Sequence, residues 1–219
     1  LQYQVEAGLK NIAEILDEPD LPVPNEAHEP EGFALELRNV WFRYDDDEPD
    51  VLSDVNLDIP ENTSLAIVGP SGGGKSTLLG MIGGTIKPNR GVIVKRAAIS
   101  WPLGLGGTYH QDLTGAQNVR FVARIYGVDT EALVAYVADF SELGDFMDMP
   151  VRSYSSGMKA RLAFGMAMGI EFDWYLVDEI TAVGDSSFKR KSLALFRSRL
   201  KTAGLLMTSH SIGTIRSYC

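Results

Sequence analysis

The stretch that decides the fold is Gly69-Pro70-Ser71-Gly72-Gly73-Gly74-Lys75-Ser76-Thr77, which fits the pattern G-x-x-x-x-G-K-[ST]. An apolar run of strand length, Ser64 to Val68, precedes it, and a helical pattern begins at Leu78. Glycines let successive backbone N–H groups point inward at a phosphate, and a helix N-terminus adds its positive end. The sequence therefore predicts a phosphate-binding P-loop between a strand and a helix.

Two side chains of this loop have specific predicted roles. We expect Lys75 to reach the β- and γ-phosphates of a nucleoside triphosphate, and the Ser76 hydroxyl to ligate the accompanying Mg²⁺. The alternative is a glycine-rich strand-to-helix turn that binds nothing. The strand and helix patterns on its two sides favour the nucleotide site.

Composition limits the class of protein. A chain of 219 residues, 45% of them hydrophobic, can bury the core of one globular unit. Its net charge of -9 argues against a nucleic-acid partner, because phosphate backbones attract clustered Lys and Arg. The single cysteine, Cys219, excludes an intramolecular disulfide. The longest apolar run, Leu162 to Ile170, falls short of the roughly 20 residues of a membrane span, so no direct membrane insertion is expected.

The N-terminal part differs from the rest in pattern. Val5, Leu9, Ile12 and Leu16 recur at helical spacing, which predicts an amphipathic helix over residues 1–17. The following stretch to residue 32 has four prolines, six carboxylates and no Lys or Arg, as a solvated linker would. We therefore predict a domain boundary near residue 32, with the main domain spanning 33–219.

Two β-like runs precede the P-loop, from Leu35 to Tyr44 and from Val51 to Ile59. Apolar and polar residues alternate in the second run, which predicts an antiparallel sheet with one wet face. The acidic turn Asp45 to Asp47 is interpreted as a solvated hairpin. Tyr44 ends the first strand, where its ring could stack on a nucleotide base, although one aromatic residue is a weak signal.

A helical subdomain is predicted over about 112–165. Thr114 and Gln117 form a capping-box pattern that opens its first helix. Ser155, Ser156 and Gly157 open a strongly apolar helix and so offer a second anion-accepting N-terminus. The alternative for these residues is an ordinary serine N-cap.

Two further strand ends have polar residues. The apolar strand 174–177 leads to Asp178 and Glu179, at the edge where ligands gather in open α/β sheets. Asp178 could hold Mg²⁺ through water, and Glu179 could accept a proton from an attacking water; the alternative is an acidic strand end without function. A second apolar strand, 205–207, is followed by Thr208, Ser209 and His210, a histidine that is ambiguous by itself.

These motifs, in this order, resemble the ATPase subunits of ABC transporters. The resemblance implies an α/β P-loop NTPase with a RecA-like core, an antiparallel β subdomain and a helical subdomain. It also implies ATP and Mg²⁺ as cofactors and a head-to-tail homodimer. The roles it implies are adenine stacking for Tyr44, Walker A for Gly69 to Thr77, the signature motif for Ser155 to Gly157, Walker B for Asp178, the catalytic carboxylate for Glu179, the D-loop for Asp185, and the γ-phosphate switch for His210.

The resemblance leaves the Q-loop residue open. Spacing from Trp101 points to His110, whereas the expected residue type is Gln111, one position later. We predict Gln111 as the metal-contacting and catalytic residue, with His110 as the alternative. The signature also departs from the family at large, with Ser156 in place of Gly and Met158 in place of Gln.

From about residue 78 onward the chain resembles capsule-polysaccharide export ATPases, on segments such as Ile99 to Leu103, Asn118 to Arg124 and Val177 to Asp185. Residues 1–77 resemble the ATPase domains of half-transporter exporters. The chain is therefore interpreted as a composite, natural or engineered. It ends nine residues after His210, where relatives continue, which predicts a C-terminal truncation.

The resemblance implies a cytoplasmic subunit that lies on the inner face of the cell membrane through an integral-membrane permease and exports polysaccharide. Two alternatives stay open at this point. One is the nucleotide-binding domain of a peptide, lipid or drug half-transporter. The other is an ATP-switched clamp without a transport role, which the acidic charge disfavours.

Overall fold

The computed structural model describes residues 35–61, 63–103, 109–178, 186–209, 213, 215 and 216. They all belong to the unit Glu31–Cys219. The predicted N-terminal helix and linker lie outside the described residues, as do Glu179, Asp185, His210 and Cys219. The predictions for those positions, and the domain limits, stay predictions.

In the described part, strands and helices follow one another in the order expected of an α/β protein. The strands are β1 Leu35–Phe42, β2 Leu52–Ile59, β3 Ser64–Ile67, β4 Arg90–Lys95, β5 Trp174–Asp178 and β6 Gly204–Thr208. The helices are α1 Lys75–Gly83, α2 Gly115–Tyr126, α3 Thr130–Ser141, α4 Ser156–Gly169 and α5 Ser186–Arg199, with short 3-10 helices at Gly144–Asp148 and Val151–Ser153.

The antiparallel sheet has the strand order β2-β1-β4. Its β1 and β2 strands pair from Leu35 opposite Ile59 to Phe42 opposite Leu52. The predicted alternation in β2 is confirmed, because Leu57 is half-buried whereas Asp58 is exposed. Residues 43–51 connect the two strands, as the acidic hairpin turn predicts.

The second sheet is parallel, with the order β3-β6-β5. The segment after β4 extends it, because Ile99 and Leu103 form parallel bridges with Trp174 and Val177 of β5. The buried Ser100 side chain joins the two, since its Oγ accepts a hydrogen bond of 2.9 Å from the Leu176 N–H. The segment from Ile99 to Leu103 thus lies beside β5.

Both faces of the parallel sheet are covered, which explains its continuous apolar runs. Tyr175, Val177, Leu205 and Met207 pack into the same core cluster as the helices α2, α3 and α4. Trp174, Leu176 and Leu206 pack into the other cluster, with α1 and the β1–β2 pair. Burial of this sheet between two layers fixes the edge from which the site residues emerge.

The helical subdomain is built on α2, α3 and α4, whose inner faces meet at fully buried residues such as Val119, Val137 and Leu162. The predicted capping box of α2 is confirmed, because the Thr114 Oγ1 accepts from the Gln117 N–H at 3.1 Å and the Gln117 Oε1 accepts from the Thr114 N–H at 2.9 Å. Helix α5 is tied to this subdomain by the Lys191–Glu142 ion pair at 2.8 Å.

Among the described residues, no helix combines the length and the apolar character that a membrane crossing requires.

Candidate functional site

The P-loop occupies the connection from β3 to α1, as predicted. Gly74 is buried and has a φ of 75°, a conformation that side chains disfavour. A Cβ at this position would lie 3.0 Å from Leu52 Cδ2 and 3.1 Å from the Val51 carbonyl oxygen. Glycine at residue 74 therefore lets the loop pass close to β2 while it turns into the helix.

The start of α1 is suited to an anion. Gly74 is its N-cap, so no side chain occupies the first free N–H groups, and the first turn of this fully described helix contains no acidic residue. Free N–H groups and the positive end of the helix dipole favour a phosphate there. Ser76, the predicted metal ligand, is exposed in this first turn.

Lys75 lies over the loop in this structure. Its Nζ donates hydrogen bonds to the carbonyl oxygens of Gly69 at 3.0 Å and Pro70 at 2.7 Å. Both acceptors belong to the loop that is predicted to surround the phosphate. Phosphate oxygens would therefore replace weak carbonyl acceptors with charged ones, which form stronger hydrogen bonds.

Asp178 ends β5 at the carboxyl edge of the parallel sheet, the same edge at which β3 leads into the P-loop. One strand, β6, separates β5 from β3, so the two strand ends are roughly 10 Å apart at ordinary sheet spacing. The Asp178 Oδ1 accepts a hydrogen bond of 2.5 Å from the Thr208 hydroxyl, which is fully buried. This contact orients the carboxylate and leaves lone pairs for a cation or a water.

Tyr44 lies beside the phosphate loop, as its predicted role requires. Its hydroxyl is 2.9 Å from the Thr77 Oγ1, and its side chain is 63% exposed. Phe42 packs edge-to-face against its ring, with centroids 4.9 Å apart. An open aromatic surface is thus placed next to the last residue of the loop.

The second predicted anion site lies at the start of α4. Ser155 is the N-cap, and its Oγ accepts a hydrogen bond of 3.3 Å from the Met158 N–H. Ser155 and Ser156 are both exposed. The N-cap function of Ser155 is confirmed, and it is compatible with nucleotide contact, because the serine pair faces solvent at a helix N-terminus.

Gln111 lies shortly before α2, the first helix of the helical subdomain. The hydrogen bond that the structure shows for it is not to the P-loop. Its backbone carbonyl accepts from the Arg152 N–H at 2.8 Å, and its side chain is exposed. His110 is also exposed, and its N–H donates to the Asn118 Oδ1 at 2.6 Å. The metal role of Gln111, and the choice between it and His110, stay predictions.

Asn118 is a buried residue that holds the backbone around Gln111, and it was not singled out from the sequence. It is 1% exposed, and its Nδ2 donates to the carbonyl oxygens of His110 at 3.0 Å and Thr114 at 2.9 Å. It therefore fixes the backbone on which Gln111 lies. The available signal was a polar residue on the otherwise apolar inner face of α2, beside Val119 and Val122.

The start of α4 is also fixed by packing against α2. Tyr154, which directly precedes Ser155, is 5% exposed and donates a hydrogen bond to the Phe146 carbonyl. Burial raises the pKa of its phenol, so the hydroxyl stays protonated and remains a donor. Gly115 of α2 faces this hydroxyl so closely that a Cβ would collide with it.

Gly115→Ala is therefore expected to destabilise the protein by about 1–3 kcal/mol, because overpacking forces the Tyr154 ring and the α4 start to move. Tyr154→Phe removes the colliding oxygen and costs about 1 kcal/mol by loss of its hydrogen bond. In urea denaturation, the double variant should be more stable than the sum of the two single effects predicts. Strictly additive losses would contradict this account of the contact.

Comparisons with known proteins agree with this geometry. The family model described as "ABC transporter" matches residues 52–182. The chain is 48% identical over 171 residues to the polysialic acid transport ATP-binding protein KpsT of Escherichia coli, covering 77% of this chain and 76% of that protein. It is 44% identical over 170 residues to the capsule polysaccharide export ATP-binding protein CtrD of Neisseria meningitidis serogroup B, covering 77% and 78%.

The chain therefore belongs to the ABC transporter family. The predicted P-loop NTPase fold and ATPase class are confirmed. The fold is also similar to that of a bacterial Atm1-family ABC exporter with ATP bound, with a TM-score of 0.70 at 24% identity, covering 96% of this chain and 41% of that one.

The capsule-exporter similarity extends further toward the N-terminus than the sequence pattern indicated. Each of the two relatives matches 77% of the chain, which is a larger share of the chain than residues 78–219 make up. Both matches must therefore include the P-loop as well as the segment after it. The likeness to the exporter is a likeness of fold.

Proposed function

We propose that this chain is the ATP-hydrolysing subunit that powers export of capsular or another cell-surface polysaccharide through a separate membrane permease. The observation that carries the proposal is the convergence of the P-loop and Asp178 at one edge of the parallel sheet. The names of the two relatives, at 44–48% identity, support polysaccharide as the cargo.

The residues present fit MgATP. The N–H groups at the start of α1 and the Lys75 ammonium suit the phosphates, and the open face of Tyr44 suits the base. Hydroxyl and carboxylate oxygens are the ligands that Mg²⁺ prefers, so Ser76 and Asp178 would hold it, with Gln111 as a further candidate. When bound, Mg²⁺ neutralises charge on the β- and γ-phosphate oxygens.

In the proposed hydrolysis, a water oxygen bonds to the γ-phosphorus while the bond from that phosphorus to the bridging oxygen of ADP breaks. Glu179 accepts a proton from the attacking water. Lys75 offsets the negative charge of the transferred group, and His210 contacts the γ-phosphate. The products are ADP and inorganic phosphate.

The proposed active unit is a head-to-tail homodimer. One chain offers two anion-accepting helix starts, at Lys75 and at Ser155, on different subdomains. In a head-to-tail pair, Ser155, Ser156 and Gly157 of one protomer would close on the nucleotide held by the P-loop of the other, with Asp185 beside it. ATP would then favour the closed pair and its hydrolysis the open one.

The proposed location is the cytoplasmic face of the cell membrane, where the subunit docks on its permease. The main alternative is the ATPase domain of a peptide, lipid or drug half-transporter, for which the support is a likeness of fold at 24% identity. Identities of 44–48% to polysaccharide-export subunits favour the first proposal.

Co-purification tests the choice of partner. The chain is expressed with the permease of a capsule-export system and, separately, with the membrane domain of a half-transporter exporter. We expect it to co-purify in detergent with the permease and to hydrolyse ATP faster in that complex than alone. Association with the exporter domain only would support the alternative, and binding to DNA or ribosomes in place of either would favour the clamp.

A further inference from the structure

One contact links the antiparallel sheet to the phosphate loop through two side-chain hydroxyls. Tyr44 follows β1, and its hydroxyl is 2.9 Å from the Oγ1 of Thr77, the third residue of α1. Thr77 is 6% exposed whereas Tyr44 is 63% exposed. The contact therefore joins a buried group of the loop to an aromatic ring that is open to solvent.

The buried hydroxyl needs this partner. A buried hydroxyl without a hydrogen bond costs about 1–3 kcal/mol, and the Tyr44 phenol supplies the bond that the structure shows for the Thr77 side chain. Phe42 also packs against the ring, at an interplanar angle of 83°. The contacts with Thr77 and Phe42 together favour one orientation of the ring.

We propose that the Tyr44 hydroxyl is a positioning group, which fixes the ring against Thr77 as a preformed platform for the nucleotide base. The inference rests on the proposed nucleotide site and adds to it a physical connection between the base and phosphate subsites. A ring that is already oriented loses less rotational freedom when a flat base stacks on it, so affinity improves without a direct bond to the ligand.

The competing interpretation is that the hydroxyl only satisfies Thr77 and stabilises the loop. The two interpretations differ for a ligand without a base. A positioning role affects ATP and spares inorganic tripolyphosphate, whereas a loop-stabilising role weakens both ligands alike. Tyr44→Phe isolates the hydroxyl, because phenylalanine keeps the ring.

The test is the dissociation constant of each ligand with Mg²⁺, measured by calorimetry on the full chain. Tyr44→Phe is expected to weaken ATP binding about threefold to tenfold, the range of one ordinary hydrogen bond, with tripolyphosphate binding unchanged. Tyr126→Phe is the matched control, because it removes a phenol hydroxyl from the end of α2, in the helical subdomain, and should leave ATP affinity unchanged.

A second pair of variants tests the connection itself. In a Thr77→Val background, Tyr44→Phe should no longer change the ATP affinity, because the bond is already absent. In a Thr77→Ser background, which keeps the hydroxyl, the threefold to tenfold loss should persist. The serine background also keeps the test decisive if the valine variant fails to fold.

Three results would overturn the inference: unchanged ATP affinity in Tyr44→Phe, an equal loss of tripolyphosphate affinity, or the same loss in the valine and serine backgrounds. Each of these leaves the proposed function intact, since the unaltered chain still binds ATP. Failure of the unaltered chain to bind ATP would instead overturn the proposed function, and the inference with it.

Discussion

Replacing Lys75 with alanine is expected to lower the rate of ATP hydrolysis by about 100-fold or more. The ammonium is the positive side chain of the P-loop, and it already lies within hydrogen-bond distance of two loop carbonyls, at 3.0 and 2.7 Å. Removing one charged group that stabilises developing negative charge typically costs a factor of about 10²–10³ in rate. Phosphate release over a range of Mg-ATP concentrations measures the effect.

Lys87→Ala is the matched control for this variant. It removes the same charge from an exposed position shortly after α1, and should leave turnover unchanged. Urea denaturation should show little change in the free energy of unfolding for Lys75→Ala, since the lost bonds join an ammonium to loop carbonyls at the surface. If turnover by Lys75→Ala stays within threefold of that of the unaltered protein, Lys75 is not a catalytic residue.

Glu179→Gln is expected to bind ATP and to lower hydrolysis by about 10²–10⁴, the contribution typical of a general base. Glutamine keeps the size of the side chain and cannot accept the proton of the attacking water. Because hydrolysis is proposed to open the dimer, the variant should accumulate as an ATP-bound dimer. Light scattering after size-exclusion chromatography, with and without Mg-ATP, measures the assembly, and phosphate release measures the rate.

Glu171→Gln provides the control, with the same chemical change three residues before β5. Glu171 is paired with Arg199 at 2.8 Å and is 86% exposed, so its loss should alter neither rate nor assembly. Ordinary turnover by Glu179→Gln would refute the assignment of the base. Loss of turnover without a stable dimer would refute the proposed link between hydrolysis and opening.

Much of the fold could be predicted, because the two sheets leave different patterns. The parallel strands β5 and β6 are covered on both faces and are continuous apolar runs, whereas β2 alternates between Leu57 toward the core and Asp58 toward solvent. The positions at which strands end were predicted less accurately. Tyr44 was predicted to end β1, which instead ends at Phe42, and the Tyr44 side chain turns to Thr77.

The site was predictable where a local motif specifies it, as in Gly69 to Thr77, and less so where distant groups meet. The Tyr44–Thr77 contact joins residues 33 positions apart, and the Thr208–Asp178 contact joins residues 30 apart. Such contacts depend on strand order, for which hydrophobic periodicity contains no signal. The same limit explains why the sequence did not predict that the segment at Ile99 lies beside β5.

The pairing of residues 111–113 with residues 151 and 152 has a mechanical consequence. The Leu113 carbonyl accepts from the Val151 N–H at 3.0 Å, and Asp112 forms an ion pair with Arg152 at 2.9 Å, in addition to the Gln111 bond. A load applied at Gln111 therefore reaches Ser155 through a few backbone units, without passing along α2 or α3. Backbone hydrogen bonds over a short stretch of chain thus connect the predicted Q-loop residue to the segment that leads into α4.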